Sequence, residues 1–332
     1  MWNYGYVTSP FKDYGIKTVT IEYGITSIGE SAFLGCRGMT ELTLPNSVRS
    51  IGKYAFDSCT GLTNLALPSS VTSIGSAAFQ GCSGLTELTL PSSVTSIGDC
   101  AFYGCTGLTE LILPNSVSSI GDIAFTYCSG LEKITVESGN SCYDSRDNCN
   151  SIIDTEFNTL IVGCKSSVIP NSVTSIGYYA FYGCSGLTEL TLPDSVASIG
   201  DGAFICCSDL SKITSLAEIP PVCGSGVFDR VNKTNCELIV PIVSVIAYKQ
   251  AEVWNEFSNI KGFSGVDVTE ADGNTIRAIG NQIEISGDFT SVEVYGVNGM
   301  LIYKGKDNVV TVPSAGIYLV HVAGKTRKIV VE

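Results

Sequence analysis

The sequence has few of the residues that most often carry acid–base catalysis or contact nucleic acid. It contains a single histidine, and its 19 Lys and Arg residues face 32 Asp and Glu residues, which gives a formal net charge of -13. Nucleic acids and anionic membranes are bound by basic residues that neutralise phosphate groups. The charge balance therefore argues against a nucleic-acid partner and favours a neutral or basic one.

Long hydrophobic runs are also missing. No stretch approaches the roughly 18 to 20 apolar residues that a membrane-spanning helix needs. The first residues, Met1-Trp-Asn-Tyr4, have neither the basic nor the apolar region of a signal peptide. We expect no transmembrane segment and, if the protein is exported, a leader that is absent from this sequence.

Motifs for catalysis and metal binding are scarce. His321 has no acidic or thiol partner close in sequence, so a structural role is favoured over a catalytic base. Asp144 and Asp147 supply oxygen ligands, but Arg146 occupies a ligand position of a calcium loop. No phosphate loop, zinc-ligand spacing or Gly-x-Ser-x-Gly motif is found. We expect no catalytic residue, no bound metal and no cofactor.

What the sequence does contain is a repeated cassette, clearest at residues 85–107. Its anchor phenylalanines recur at equal intervals in the first five copies, and two more follow after a longer gap: Phe33, Phe56, Phe79, Phe102, Phe125, Phe181 and Phe204. A period of about 23 residues is typical of a solenoid in which each repeat forms one rung. The phenylalanines should then line up inside it.

Each cassette predicts the same local structure. Leu85–Leu90 alternates apolar and polar residues as a short strand of a parallel sheet, and Pro91 ends it. Val94–Ile97 predicts a second extended segment, and Asp99–Tyr103 a helical turn. The predicted fold is an α/β solenoid with 23-residue rungs over residues 1–261, followed by a small all-β sandwich over residues 266–332.

A single rung buries too little apolar surface to fold alone, so the end rungs should be capped. The aromatic N-terminus is the expected first cap, through Trp2, Tyr4, Tyr6, Phe11 and Tyr14. At the other end, a helix over residues 243–258 should cover the last rung. Its predicted buried face consists of Val243, Ala247, Ala251, Trp254 and Phe257.

Seven of the 14 cysteines follow an anchor phenylalanine at the third position: Cys36, Cys59, Cys82, Cys105, Cys128, Cys184 and Cys207. Equivalent side chains on adjacent rungs are about 4.8 Å apart, whereas a disulfide needs sulfur atoms near 2 Å. Buried thiols are therefore favoured over disulfides. Each is expected to act as a small apolar group and a weak donor to a turn carbonyl.

The gap after Phe125 predicts an irregular insertion over about residues 137–168. Within it, residues 149–154 and 159–164 are expected to form a hairpin, and equal counting from its turn places Cys149 opposite Cys164. These two cysteines could form a disulfide in an oxidising compartment. Cys223 and Cys236 are a second candidate pair, which the sequence leaves open.

The cassette resembles the BspA-like leucine-rich repeat. Pro91-Ser-Ser-Val-Thr-Ser-Ile-Gly98 and Ala101-Phe-Tyr-Gly-Cys105 match its hallmark, and the resemblance covers about residues 15–260. It implies a leucine-rich-repeat solenoid of a bacterial protein displayed on the cell surface or secreted. Some proteins of this family bind host matrix proteins or other cells. The C-terminal segment, with Gly316-Ile-Tyr318 and Lys328–Val331, resembles the sorting domains of secreted bacterial proteins.

A column of outward residues on the predicted sheet is the candidate binding site. Glu41, Glu87, Glu110 and Glu189 occupy one position of the rungs, which Asn64 and Lys133 fill in between, with Thr43, Thr89 and Thr191 beside them. Stacked carboxylates repel one another unless solvent or a partner screens them. They could meet a basic ligand, but the simpler interpretation is that they keep the sheet soluble.

We therefore expect a monomeric, non-enzymatic scaffold that binds or adheres to a protein or glycan through the solenoid surface. A purely structural spacer is the first alternative. A hydrolytic enzyme with an unrecognised site is the least favoured one.

Overall fold

The computed structural model describes residues 9–11, 14–263, 268–269, 274–279, 282–287, 289–296, 299–313, 316–322 and 325–331. Through residue 263 it is a solenoid with two ladders of short parallel strands. The strands of the longer ladder begin at the outward column. They are Thr18–Thr20, Glu41–Thr43, Asn64–Ala66, Glu87–Thr89, Glu110–Leu113, Lys133–Val136, Glu189–Leu192, Lys212–Ser215, Glu237–Pro241 and Asn259–Phe263.

The second ladder is built from the Ser-Ile pair of each cassette, which explains the extended segment predicted there. Its strands are Ser27–Ile28, Ser50–Ile51, Ser73–Ile74, Ser96–Ile97, Ser119–Ile120, Ser175–Ile176, Ser198–Ile199 and Val222–Cys223. Each pairs with the equivalent residues one rung away, Ser73 with Ser96 for example. The register of the cassette is therefore kept in both ladders.

The predicted phenylalanine stack is confirmed. From Phe33 to Phe125 neighbouring rings are 5.2 to 5.4 Å apart and nearly parallel. After the insertion the stack resumes with Phe181 and Phe204, and it continues to Phe228, which the spacing of the phenylalanines did not predict. All of these rings are buried. The apolar interior is thus continuous within each half of the solenoid.

The cysteine ladder is also confirmed as a row of buried thiols. Cys59 Sγ donates to the carbonyl of Phe33 at 3.2 Å, and Cys82 and Cys105 repeat this bond one rung further on. All 14 cysteines are free in the structure. The thiols of this row from Cys59 onward thus each satisfy a carbonyl of the preceding rung and pack as small apolar groups.

The predicted helical turns are wrong in detail. The segment from Asp99 to Tyr103 forms non-helical turns, because Cys100 has φ +55° and a left-handed residue cannot continue a right-handed helix. Among the described residues the one α-helix is Val245–Gln250, here α1. The solenoid is therefore built almost wholly of strands and turns.

The insertion contains three short strands, Tyr143–Asp144, Ile152–Asp154 and Thr159–Val162, and a 3-10 turn at Arg146–Asn148. The predicted hairpin is present, since the last two strands are antiparallel. Thr159–Val162 then pairs in parallel with Ser175–Ile176, which returns the chain to the second ladder.

The proposed disulfide between Cys149 and Cys164 is not formed. A bulge shifts the hairpin register by one residue, so that Ile152 pairs with Val162 and not with Ile161. Cys149 Sγ donates to the Ser151 carbonyl, and Cys164 Sγ to the Asn150 carbonyl. The two side chains belong to separate apolar clusters, and both cysteines are free. Cys223 and Cys236 are free as well.

The N-terminal end of the solenoid differs from the predicted cap. Phe11 stacks on Phe33 with ring centroids 5.4 Å apart, whereas Tyr14 is exposed. Trp2, Tyr4 and Tyr6 lie outside the described residues.

The predicted C-terminal helix over residues 243–258 is shorter in the structure. Helix α1 lies between 3-10 turns at Ile242–Ser244 and Trp254–Glu256, and it ends because Ala251 is extended. Val243 and Ala247 are exposed, contrary to the prediction, while Tyr248, Trp254 and Phe257 are buried. The Trp254 indole N–H donates to the Pro221 carbonyl at 2.8 Å, which fixes this cap over Phe228.

The C-terminal segment forms two antiparallel sheets. One contains Val268–Thr269, Thr275–Ile279, Gln282–Ser286 and Val309–Thr311, and the other Val292–Gly296, Leu301–Gly305, Gly316–Val322 and Lys325–Val331. Buried side chains of both sheets, such as Ile283 and Val320, form one cluster. Within the described part of the chain, no helix has the length and apolar character needed to span a membrane.

Candidate functional site

The predicted binding column lies on the outer face of the longer ladder. Strand alternation turns the leucines inward, so Glu41, Glu87, Glu110 and Glu189 are all exposed. Thr43, Thr89 and Thr191 are exposed beside them, at the next outward position of the same strands. The structure therefore brings the predicted residues onto one face, in two groups separated by the insertion.

Each carboxylate of this column has a partner on a neighbouring rung. Glu110 forms an ion pair with Lys133 at 2.7 Å, and Glu189 forms one with Lys212 at 3.5 Å. Glu87 accepts a hydrogen bond from the Asn64 amide at 2.7 Å. The sequence predicts that stacked carboxylates repel one another. These partners on neighbouring rungs reduce that repulsion.

The net charge of the column is therefore less negative than the number of its glutamates implies. Glu41 accepts a hydrogen bond from Thr18 Oγ1 at 3.3 Å, so its partner is neutral, as is that of Glu87. After the insertion, lysines alternate with glutamates, and Lys261 pairs with Glu237. The uncompensated negative charge lies before the insertion, at Glu41 and Glu87.

A second surface feature lies on the opposite edge of the rungs, at the junction where the insertion interrupts the repeat. The N–H of Tyr127 donates to the carbonyl of Tyr182, on the far side of the insertion, whereas the equivalent Gly104 donates to Thr126 on the next cassette. The rung of Phe125 is thus followed directly by the rung of Phe181 on this side.

Five tyrosines meet at this junction. Tyr127 contacts Tyr103 and Tyr182, with ring centroids 6.1 and 5.4 Å apart. Tyr182 contacts Tyr179, which contacts Tyr178. The rings form a continuous cluster across three rungs, and Tyr127 and Tyr178 are partly exposed to solvent.

The cluster borders an open groove of about 400 Å³. We call it the tyrosine groove and define it by its lining residues: Gln80, Cys100, Tyr103, Ile123, Thr126, Tyr179 and Tyr182. Burial, and next the neighbouring Tyr182, raises the pKa of Tyr103 to about 12, so its hydroxyl stays protonated at neutral pH. A second groove of about 300 Å³ lies near Tyr127 and includes Arg230.

Two carboxylates lie beside the tyrosine groove. Burial, followed by the charges of Asp99 and Asp122, raises the pKa of the Cys100 thiol. The Tyr178 hydroxyl donates to the Asp122 carboxylate, and this bond, after burial, raises the pKa of that tyrosine. The lining itself contains no Lys or Arg. The electrostatic environment of the tyrosine groove is therefore negative.

The remaining sequence candidates are not combined into a site. His321 is hydrogen-bonded to Thr326 and pairs across the sheet with Glu293, whose carboxylate is already bound by Lys304 and Tyr295. Asp144 is paired with Arg146 at 2.9 Å. In the described ranges, no three His, Cys, Asp or Glu side chains are grouped to hold a metal ion.

The buried thiols are poorly suited to nucleophilic chemistry. Burial raises the pKa of Cys82, Cys128 and Cys207 to about 12, against a weaker opposing effect of backbone hydrogen bonds. Only the thiolate is a strong nucleophile, and these groups are protonated at neutral pH. Their role in this geometry is packing.

Comparison with known proteins identifies the family. The profile described as "BspA type Leucine rich repeat region" matches residues 8–132, 78–162 and 150–238. The chain belongs to the BspA-type leucine-rich repeat family. In this BspA-type chain the matched residues include the junction and both strand ladders up to residue 238, while the last strand, Asn259–Phe263, and the C-terminal sheets lie beyond them.

Solved structures give the same fold. A leucine-rich cell surface protein from Faecalibacterium prausnitzii is 28% identical, with a TM-score of 0.58 over 74% of this chain and 73% of its own. A leucine-rich repeat protein from Eubacterium ventriosum is 24% identical, with a TM-score of 0.55 over 79% of this chain and 77% of its own. The search of curated proteins found no match.

The tyrosine groove of this BspA-type chain was missed by sequence reasoning. Its tyrosines are far apart in sequence, and only the direct pairing of Tyr127 with Tyr182 brings them together. A signal was nevertheless present. Tyr127 replaces the glycine found in most copies of the Phe-x-Gly-Cys motif, and the pair Tyr178-Tyr179 follows Gly177, where only Tyr54 of the other rungs supplies a tyrosine.

Proposed function

We propose that this chain is a non-enzymatic scaffold of the bacterial cell surface, displayed or secreted, which binds a protein partner through its solenoid as a monomer. The observation that carries the proposal is the 28% identity, over 74% of the chain, to a cell surface protein with the same fold. A rigid stack of rungs suits this role, because it presents a broad exposed sheet face without rearrangement.

Within the predicted column, we place the main contact surface on the part of the sheet face before the insertion. Glu41 and Glu87 have neutral partners there, and Thr43 and Thr89 extend the exposed polar surface. A basic partner would gain electrostatic attraction at this end. The part after the insertion, at Glu189 and Thr191, is largely balanced by lysines and should contribute less.

The test is a binding array of purified host matrix proteins and glycans at low and high salt. For a partner that binds, the double variant Glu87→Lys with Glu110→Lys should weaken binding by about tenfold or more and reduce its salt dependence. The matched control is Asp209→Lys with Glu252→Lys, which makes the same charge change at exposed positions off the sheet face. The control should bind like the parent protein.

The outcomes separate the alternatives. Binding that ignores salt and both double variants would reject the sheet face as the site. A partner set that consists of glycans alone would replace the protein partner by a carbohydrate one. No binding across the array would favour the structural spacer, since a spacer needs the same stack but no ligand.

We also propose that the C-terminal sheets act as a handle for export or attachment, on the basis of the resemblance of residues 294–331 to sorting domains. Deleting residues 266–332 should abolish secretion or surface retention while leaving the solenoid folded. Normal localisation of the truncated chain would contradict this role.

A further inference from the structure

Three side chains that line the tyrosine groove are attached to left-handed backbone, at a rung position where Ser31, Tyr54 and Ala77 also have positive φ. Cys100, Ile123 and Tyr179 occupy one position of successive rungs, and all three have φ between +51° and +55°. The next two rungs have Gly202 and Gly226 at this position, with φ +59° and +62°. A left-handed backbone is strained for a residue with a side chain, and most of all for a β-branched one such as Ile123.

Left-handed backbone that carries a side chain also occurs further along the rung. Tyr127 has φ +61° at a position filled by Gly104 and Gly183 in the neighbouring rungs, and its ring lies over Gly183. Positive φ at both positions recurs along the solenoid, so the backbone alone does not distinguish the junction. What distinguishes it is that Tyr127 and Tyr179 carry rings that both contact Tyr182.

The aromatic rings and the nearby carboxylates of the groove favour a cationic ligand. Tyrosine rings have a negative face that attracts cations, and Asp99 and Asp122 add full negative charges beside Cys100 and Tyr178. No basic side chain lines the groove, whereas Arg230 lines the second groove near Tyr127. A volume of about 400 Å³ is enough for one long side chain but not for a folded segment.

We propose that the tyrosine groove receives a lysine or arginine side chain from a basic segment of a protein partner. The aliphatic part of that side chain packs against Ile123 and Tyr103, and its charged end lies against the ring of Tyr179 on the side of Asp122. This inference rests on the proposed protein-binding function and names a second contact surface, on the opposite edge of the rungs from the sheet face.

The test uses the full chain and a tetra-arginine peptide as the probe, with affinity measured by calorimetry at two salt concentrations. Tyr179→Gly removes one ring and gives the backbone the residue that the next two rungs have, so the chain should remain folded. We expect a loss of affinity of about fivefold, which corresponds to one cation–π contact at an exposed site. Tyr179→Phe keeps the ring and should bind within about twofold of the parent.

The matched control is Tyr54→Gly. Tyr54 has φ +54° at the equivalent position of a rung away from the groove, so this variant makes the same backbone change without altering the lining. It should leave the affinity unchanged. Asp122→Asn keeps an acceptor for the Tyr178 hydroxyl, and it should lower both the affinity and its dependence on salt.

Two results would overturn the inference. If the Tyr179→Gly variant binds tetra-arginine as tightly as the parent, the groove is not its binding site. If affinity for the peptide is then lost only in the double variant Glu87→Lys with Glu110→Lys, the basic ligand binds to the sheet face. Binding of cellotetraose with no binding of tetra-arginine would make the groove a carbohydrate site. The first result leaves the proposed scaffold function standing, so the two proposals fail separately.

Discussion

The regular rungs from Phe33 to Phe125 and the junction between the rungs of Phe125 and Phe181 use the same cassette but fill it differently. In the regular rungs every position repeats: the rings stack 5.2 to 5.4 Å apart and the thiols bond to the rung before. At the junction the turn after Phe125 pairs directly with the turn after Phe181, and Tyr182 contacts both Tyr127 and Tyr179. The comparison shows that the repeated positions of the cassette form the interior, whereas positions that depart from the repeat give the surface at the junction its distinct set of side chains.

The largest expected effect concerns the ring stack. Phe79 is fully buried between Phe56 and Phe102, whose ring centroids lie 5.2 and 5.4 Å away. Phe79→Ala should lower the free energy of unfolding by about 3 to 5 kcal/mol. In the described part of the chain Phe181 stacks on a single phenylalanine, Phe204, because its other side faces Gly163. Phe181→Ala should therefore lower the free energy of unfolding by about 1 kcal/mol less than Phe79→Ala does, because it removes one aromatic pair fewer.

Chemical denaturation of both variants, followed by circular dichroism, checks this difference. Because solenoids can unfold in parts, hydrogen exchange should be measured for each half of the chain. Equal losses for the two substitutions would mean that the junction packs as tightly as the regular stack. The contrast between the two regions would then not hold for the interior.

A smaller effect is expected for the thiols. Cys105 is fully buried and donates to the Phe79 carbonyl, so Cys105→Ser keeps a donor but buries a more polar and smaller group. We expect a loss of about 1 to 2 kcal/mol in the free energy of unfolding. Cys100 is only half-buried at the junction, and Cys100→Ser should cost less than about 0.5 kcal/mol.

Alkylation of the native protein gives an independent readout of the same contrast. Cys105 should be protected until its rung unfolds, because burial raises its pKa well above the usual value and blocks access. Cys100 should react first of the two. Rapid alkylation of Cys105 in the folded chain would show that the thiol row is not part of a closed interior.

Much of the interior was predictable because it is encoded locally and repeatedly. The spacing of Phe56, Phe79 and Phe102 fixes the stack, and the cysteine that follows each of them in the motif fixes the thiol row. The sheet-face charge was harder to predict, because it depends on which side chain lies one rung away. Lys133 was visible in the column, but its pairing with Glu110 follows only from the register.

The junction and the C-terminal cap could not be predicted from the cassette. The bulge between Ile152 and Val162 shifts the hairpin, and the direct pairing of Tyr127 with Tyr182 depends on how much of the chain the insertion absorbs. Helix α1 ends at an extended Ala251, and Val253 has φ +69°, neither of which a hydrophobic period reveals. These features are set by tertiary packing, which overrides local propensity.

A small net effect on stability, and the sharpest test of the comparison, is expected for Tyr127→Gly. The substitution removes contacts with Tyr103, Tyr182 and Gly183, but it relieves a left-handed tyrosine, which costs about 1 to 2 kcal/mol. The two effects oppose each other, so the free energy of unfolding should change by less than about 1 kcal/mol. Chemical denaturation of this variant and of Phe181→Ala under the same conditions measures the change in the free energy of unfolding. A loss as large as that of Phe181→Ala would make Tyr127 a structural support of the junction. A near-neutral result would mean that stability does not explain a strained, partly exposed ring at a position where the neighbouring rungs have glycine.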